Sequence, residues 1–547
     1  MKRTFLLLAL FILIFQSGHI VLSNPRYYFD MNYYIRTAGR INYFLQQSLN
    51  DFSQIPRLLN SMRTGHRPSL YYFPGILFNR QPEFNIKIFL LANSVFYYLI
   101  FILLIYQLYL KDSKSDILPV SALFFLIAPL TLNYTRYPMV EFPFYLLNAL
   151  AIAVFYQSRS LRKYPYWVIF LLLASMGMLI KFSSVFFIIV PAVLMLLTEL
   201  MKKIKKSYPR DLMKKEIKFR LFQLMLFFIF LFTLLSIFSG KGYFAQSLHQ
   251  YFQTEVAAYW SYPYITFWEK LWWFITAPTQ IFTVPALMLS CNALLRSKKK
   301  ILIPLVFLLI PLFQFSFFMK SKGARMFGSL SFPLAMLASA GWNDLAGRFP
   351  AELKNKRNFI LAVFVVLNVF SSGFIPLDHA PAYEFPDGGI KELYKGLTPQ
   401  LFARGGFTRD NRQWEQAVEK IKNVLKSNSN KQSTVIHLYY TVNLLPGITG
   451  LDVKKQVIDE LLWKEAQRFP LEVFTTGNSF FILKTGKYTH WGTRGEGLEL
   501  ESNLRYLHRV YSDPDSLWRK NTLLLDKIDL PDNSSVYIYY RQNDLTA

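Results

Sequence analysis

The 547-residue chain is 52% hydrophobic, 17% aromatic and only 17% charged, against about 25% charged in soluble domains, so an ordinary soluble enzyme is excluded. Its net charge of +27 does not mark a nucleic-acid binder, because the basic residues fall in short stretches between hydrophobic runs, a pattern that orients a protein in a bilayer. The single cysteine, Cys291, lies inside a hydrophobic run, which leaves disulfides no part.

The first apolar run, 5–15, follows Lys2 and Arg3. A charged start and a short apolar run also suit a signal peptide, but Ser17-Gly18-His19 offers no clear small-x-small cleavage site. The run is therefore read as a retained helix with a cytoplasmic N-terminus. Runs long enough to cross a hydrocarbon layer of about 30 Å recur after it. They predict eleven spans, at 4–23, 87–110, 117–134, 142–157, 165–180, 183–200, 221–239, 271–292, 301–318, 327–343 and 359–375. Spans five and six are short and divided only by Lys181-Phe182. Alternate loops hold Lys111 and Lys114, then Arg159, Arg162 and Lys163, then a dense run from Lys202 to Arg220, then Arg296 to Lys300, then Arg348 to Arg357. The other loops are poor in bases, so the basic set faces the cytoplasm. The expected fold is a polytopic α-helical membrane protein of about 11 transmembrane helices over residues 1–375, multi-pass in a bacterial plasma membrane.

This topology places two larger pieces outside. In the loop 24–86, Ile41, Phe44, Leu45, Leu49, Phe52, Ile55 and Leu59 recur at helical spacing, interrupted at Pro56, which predicts amphipathic helices lying on the membrane surface. The second piece, 376–547, has soluble composition and is expected to form an extracytoplasmic α/β domain. Its predicted elements are a helix near 411–426, a strand at 433–440, a helix at 452–467, a strand pair at 472–475 and 479–484 around Gly477-Asn478, and a last strand at 536–540.

Taken in order, the ionisable groups on the outer side are Asp30, Arg67, Arg136, Glu141, Lys181, His249, Glu255, Lys320, Lys322 and Arg325. Such groups at a membrane boundary are costly unless solvated or paired, and so are functional candidates. Snorkelling or topology is the bland alternative for each, and it is favoured for Lys320, Lys322 and His249. Two acids and several cations on one side are the set that sugar transfer from a lipid phosphate requires. A base takes the proton of the attacking hydroxyl, and cations steady the charge growing on the departing phosphate, where arginine's planar fork can bind two oxygens. No His or Cys cluster has metal-ligand spacing, so no metal or other cofactor is expected.

At these residues the chain resembles the C-type glycosyltransferase superfamily, and within it the branch of protein O-mannosyltransferases and lipid A aminoarabinose transferases. The resemblance covers roughly residues 1–345. It rests on Asp30, Tyr34 and Ala38 at four-residue intervals after the first span, and on Arg67-Pro68-Ser69-Leu70-Tyr71. It also rests on Arg136 through Glu141, on Gly177 through Lys181, and on Arg325-Met326 ahead of Pro333. Departures from the family pattern are the lone acid at 30 where many members carry an Asp-Glu pair, Ser69 for a second proline, Glu141 for the usual aspartate and Met326 for tyrosine.

The resemblance implies an inverting transferase that uses a polyprenyl-phosphate-linked sugar donor. Asp30 would be the catalytic base or would orient the acceptor. Arg67, Lys181 and Arg325 would hold the carrier phosphate. Glu141 would contact acceptor or sugar, or share a divalent cation with Asp30. Tyr34, Tyr71, Arg136 and His249 complete the candidate substrate contacts. The acceptor is left open among lipid, glycan and protein. A transporter or flippase of a lipid-linked saccharide is the alternative, and would need polar residues at mid-membrane depth. A scaffold displaying the C-terminal domain is a third reading, for which so many spans would be excessive. Trp463, Trp491 and Trp518 in that domain could stack on sugars, although such residues are more often core or surface aromatics.

Overall fold

The structure is a computed structural model. It describes residues 1–22, 29–62, 69–79, 85–111, 116–135, 140–158, 164–181, 183–205, 267–296, 301–318, 327–374, 412–428, 433–438, 455–459, 479–485, 522–530 and 535–541, with scattered residues between 214 and 233 and near 401 and 515. Within these ranges some side chains, including those of 29–36 and 455–459, are not described. The chain forms two compact units. One holds Met1–Leu22, Ala38–His379 and Tyr394–Phe407, and the other Ser23–Thr37, Ala380–Leu393 and Thr408–Ala547.

The first unit is helical. Its elements are α1 (Lys2–Leu22), α2 from Ala38 onward (the whole helix being Phe29–Asn50), α3 (Ile55–Met62), α4 (Phe73–Phe78), α5 (Ile86–Lys111), α6 (Ile117–Leu126), α7 (Pro129–Tyr134), α8 (Glu141–Gln157), α9 (Tyr164–Ile180) and α10 (Val190–Lys205). They continue with α11 (Phe267–Ile281), α12 (Val284–Arg296), α13 (Leu302–Phe313), α14 (Ser331–Gly347), α15 (Ala351–Asn355) and α16 (Arg357–Phe374). Of these, α1, α5 and α16 are each long and apolar enough to cross a membrane unaided, and α6, α9, α10, α12 and α13 belong to shorter apolar helices. A helix satisfies its own backbone donors and acceptors, the condition for lying in lipid.

Helices α1 and α5 run antiparallel. Lys2 Nζ sits 6.0 Å from the Tyr109 ring at one end, and Lys87 Nζ donates to the Val21 carbonyl at 2.8 Å at the other. Helix α16 runs parallel to α1. Arg357 pairs with Asp116 at 2.7 Å at the Lys2 end, while Phe370 and Phe374 meet Phe11 and Phe15 toward the far end. Helices α12 and α14 cross closely. Ala286, Ser290 and Ala293 form a small-residue stripe facing Gly341, where a Cβ would collide with the Leu289 carbonyl. Two polar ties cross the same seam: Ser290 Oγ donates to the Leu334 carbonyl at 3.2 Å and Asn292 Nδ2 to the Gly341 carbonyl at 3.1 Å. Small residues and interhelical hydrogen bonds are how helices adhere where lipid removes the hydrophobic drive.

Helices lie within the predicted spans with two differences. Spans 117–134 and 271–292 are each two helices, broken at Ile127–Ala128 and at Phe282–Thr283. Pro129 and Pro285 open the second helix in each case; proline lacks an N–H and suits a first turn, but stops the helix before it. The range 221–239 lies largely outside the described residues. Lys181 does separate two helices, as expected, and a π-helical turn (Val185–Ile189) leads into α10. In the first loop, α2 and α3 are joined through a 3₁₀ turn capped by Asp51, and Pro56 stands in the first turn of α3. Ala38 and Ile41 are buried, whereas Leu49, Phe52, Ile55 and Leu59 are exposed.

In the second unit, β1 (Thr434–Leu438), β2 (Lys455–Asp459), β3 (Ser479–Thr485), β4 (Leu523–Asp529) and β5 (Ser535–Arg541) form one sheet in the order β2-β1-β3-β5-β4. The β2/β1/β3 part is parallel, and β5 runs antiparallel to both β3 and β4. Helix α17 (Arg412–Asn428) buries Ala417, Val418, Ile421 and Leu425 against Val435, Phe480, Ile482, Ile528 and Ile538. One expectation fails here. The stretch read as a helix at 452–467 contributes β2, whose parallel pairing with β1 outweighs the local pattern. Of the strand pair read at 472–475 and 479–484, the second forms β3, flanked by β1 and β5, and the first lies outside the described residues. Trp463, Trp491 and Trp518 lie outside the described residues.

Candidate active site

Helix α8 opens at Glu141, whose carboxylate sits in the first turn, where a negative charge meets the exposed N–H groups of the helix start. Lys181 ends α9: its N–H donates to the Gly177 carbonyl at 2.8 Å, and its own carbonyl accepts from Ser184 N at 3.0 Å. The two side chains meet. Lys181 Nζ donates to Glu141 Oε1 at 3.1 Å, with the glutamate side chain 3% and the lysine side chain 19% exposed. The ammonium also lies 5.6 Å from the Phe144 ring, a cation–π arrangement. Glu141 Oε2 is buried and has no hydrogen-bond partner among the described residues. The pair thus presents a half-solvated cation beside a carboxylate with one oxygen unspent, which suits contact with a phosphate and a hydroxyl.

Two turns deeper, Asn148 ties three segments together. Its Oδ1 accepts from Ser184 Oγ at 2.6 Å, and its Nδ2 donates to Ser329 Oγ at 2.9 Å. All three are essentially inaccessible. Glycine is required beside them. A Cβ on Gly177 would lie 2.7 Å from Ser184 Oγ and 3.1 Å from Asn148 Oδ1, and one on Gly328 would strike the Tyr145 ring.

Further bonds set the backbone near other candidates. Thr135, just before Arg136, donates to Gln16 Oε1 at 2.9 Å, and its carbonyl accepts from Ser94 Oγ at 3.0 Å. Downstream of Arg67, Tyr71 is buried against Tyr72 and Phe89, and Gly75 N donates to Asn93 Oδ1 at 2.9 Å. Asp30 and Tyr34 do lie in a helix, four residues apart, but their side chains are outside the described residues. So are Arg67, Arg136, His249 and Arg325. The structure therefore unites Glu141 and Lys181, which sequence reasoning had treated separately. It adds Asn148, Ser184 and Ser329, whose only sequence signal was a polar residue within or beside an apolar run. A cavity of about 380 Å³ toward the Lys2 end, lined by Phe124, Leu289, Trp342 and Phe364 among others, is almost wholly apolar and offers a phosphate nothing.

ArnT from Cupriavidus metallidurans bound to undecaprenyl phosphate matches with a TM-score of 0.54 and 10% identity, over 98% of this chain and 97% of that one. The same protein in the apo state matches with a TM-score of 0.56 and 11% identity, over 97% of each chain. The chain has the ArnT fold. That is the fold expected from the resemblance, and with its apolar helices it makes this a polytopic, integral membrane protein. No protein-family model and no curated protein matches the sequence.

Proposed function

We propose that the protein is an integral-membrane glycosyltransferase that moves a sugar from a polyprenyl-phosphate donor to an acceptor at the extracytoplasmic face, with inversion. The Glu141–Lys181 pair carries this reading, set in a fold shared with a protein crystallised on undecaprenyl phosphate. In the proposed reaction the acceptor hydroxyl attacks the anomeric carbon while the bond from that carbon to the carrier phosphate breaks. Asp30 takes the hydroxyl proton, or orients the acceptor if the proton leaves by another route. Lys181, Arg67 and Arg325 hold the phosphate as its charge grows. Glu141 holds Lys181 in place and offers Oε2 to acceptor or sugar. Tyr34, Tyr71, Arg136 and His249 are assigned to substrate contact. The topology that goes with this has eleven spans, a cytoplasmic N-terminus and the domain 376–547 outside a bacterial plasma membrane.

Passage of a lipid-linked saccharide would call for polar groups lining a route through the bundle. One such group described in the bundle, Asn148 with Ser184 and Ser329, is sealed from solvent and spent on internal bonds, which supports transfer over transport. The test is purified protein, a labelled polyprenyl-phosphate sugar and cell-envelope acceptors. Asp30→Asn should abolish transfer while leaving folding intact; full activity in that variant would remove Asp30 from the mechanism.

A further inference from the structure

Glu141, Tyr145 and Asn148 stand at i, i+4 and i+7 and therefore share one face of α8. Each meets either the Lys181 turn or the 3₁₀ turn Gly328–Leu330. Glu141 pairs with Lys181. Tyr145 fills the space that only a glycine at 328 leaves open. Asn148 bonds at once to Ser184, three residues after Lys181, and to Ser329, four residues after Arg325. The Lys181 turn continues the link, since Ser184 N donates to the Lys181 carbonyl.

We infer that Asn148 is a positioning residue for donor binding: it fixes the Lys181 turn and the 3₁₀ turn Gly328–Leu330 to one face of α8, and so sets where Lys181 meets the phosphate of a polyprenyl phosphate. This rests on the proposed function. Asn148 makes no contact with substrate in this account. Its amide is suited to the task because it accepts on one side and donates on the other, and a buried amide with both ends spent fixes direction as well as distance. Replacing it by a hydrophobe of similar volume leaves each segment packed but lets the two drift independently. Misalignment that loses one hydrogen bond to a charged group, worth about 1.5–3 kcal/mol, weakens binding by about ten- to a hundredfold.

The experiment measures binding of undecaprenyl phosphate to the detergent-purified full chain, alongside its unfolding midpoint. Asn148→Leu should weaken binding by about ten- to a hundredfold. Ser184→Ala and Ser329→Ala each break one arm and should each weaken it. Adding Ser184→Ala to Asn148→Leu should then cost almost nothing more, because members of one network are not additive. Ser339→Ala is the control. It removes a comparable buried bond, to the Ile117 carbonyl at 2.9 Å toward the Lys2 end, and should lower the midpoint without touching affinity. If Asn148→Leu does not fold, the two serine variants decide. If the wild type binds and those variants bind equally well, or lose only what Ser339→Ala loses, the positioning role is refuted while the proposed function stands. If the wild type binds no polyprenyl phosphate, both fall.

Discussion

Lys181→Met tests whether the Glu141 pair is a stability element as well as a ligand set. At 3.1 Å and an effective dielectric of about 20, the attraction between the two charges is about 5 kcal/mol. Part of that offsets the cost of holding a carboxylate that is 3% exposed. Removing one partner from a fully buried pair costs about 3–5 kcal/mol, because the survivor is left unmatched. Lys181 keeps 19% exposure, and solvent screening lowers the expected loss to about 2–3 kcal/mol. The reverse variant, Glu141→Gln, should cost less. The lysine can turn toward solvent, whereas the glutamate cannot, and the amide still offers an acceptor. The double variant Glu141→Gln/Lys181→Met leaves no buried charge and should recover most of the loss, to within about 1 kcal/mol of wild type. Equilibrium unfolding in mixed micelles reads all three. A Lys181→Met protein as stable as wild type, or a double variant no better than the single, would refute the reasoning.

The α12–α14 seam predicts that Gly341→Ala destabilises by about 1–3 kcal/mol, since its Cβ would run into backbone at Leu289; Gly347→Ala, where a Cβ meets nothing within 4 Å, should be neutral in the same unfolding assay. At the α2–α3 junction, hydrogen bonds from Gln54 and then Ser53 hold the Asp51 carboxyl below its ordinary value of 3.8. A folded-state value that is lowered contributes stability above the unfolded value and loses it as pH falls through the folded one. Amide protection at 52–55, taken against the intrinsic exchange rate at each pH, should therefore fall below about pH 4 in wild type, while Asp51→Ala should be poorly protected throughout and show no such step.

The membrane helices were legible because a bilayer demands apolar runs of a set length, and no tertiary contact changes that requirement. Their breaks were less so. Pro129 and Pro285 are visible in the sequence, but proline is tolerated in membrane helices when neighbours satisfy the freed carbonyl, so each could have marked a kink inside one span. The helix near 411–426 was read correctly because the 3.6-residue period of Ala417, Val418, Ile421 and Leu425 is undisturbed. The strand β2 was misread because Val457 and Ile458 sit among residues that also match a helical pattern, and only the open edge of β1 decides between them. Glu141 and Lys181 were both singled out, yet nothing in a single sequence says that residues 40 positions apart are 3.1 Å apart. Asn148 was passed over because one polar residue inside an apolar run carries no signature of what it bonds to.

The two segments joined at Asn148 are also joined by aromatic rings, and the division of labour follows from the kind of contact. The π-helical turn after Lys181 places Phe187 on Phe315 of a second π-helical turn, Gln314–Phe318, stacked at 4.8 Å and 20°. Phe315 in turn meets Phe327 at 6.1 Å, two residues after Arg325. A π turn carries one extra residue per turn and is frequent at functional sites; here one follows Lys181 by four residues and the other packs against it. Stacked rings supply dispersion and tolerate sliding, so they hold the segments at a distance without fixing their register. The Asn148 bonds are directional, weakening steeply once the donor angle falls below about 120°, and in membrane proteins such bonds contribute only about 0.6–1.7 kcal/mol each to stability. The rings add cohesion between the two segments, and the amide sets their alignment. That is why loss of Asn148 is expected to appear in phosphate affinity more than in unfolding.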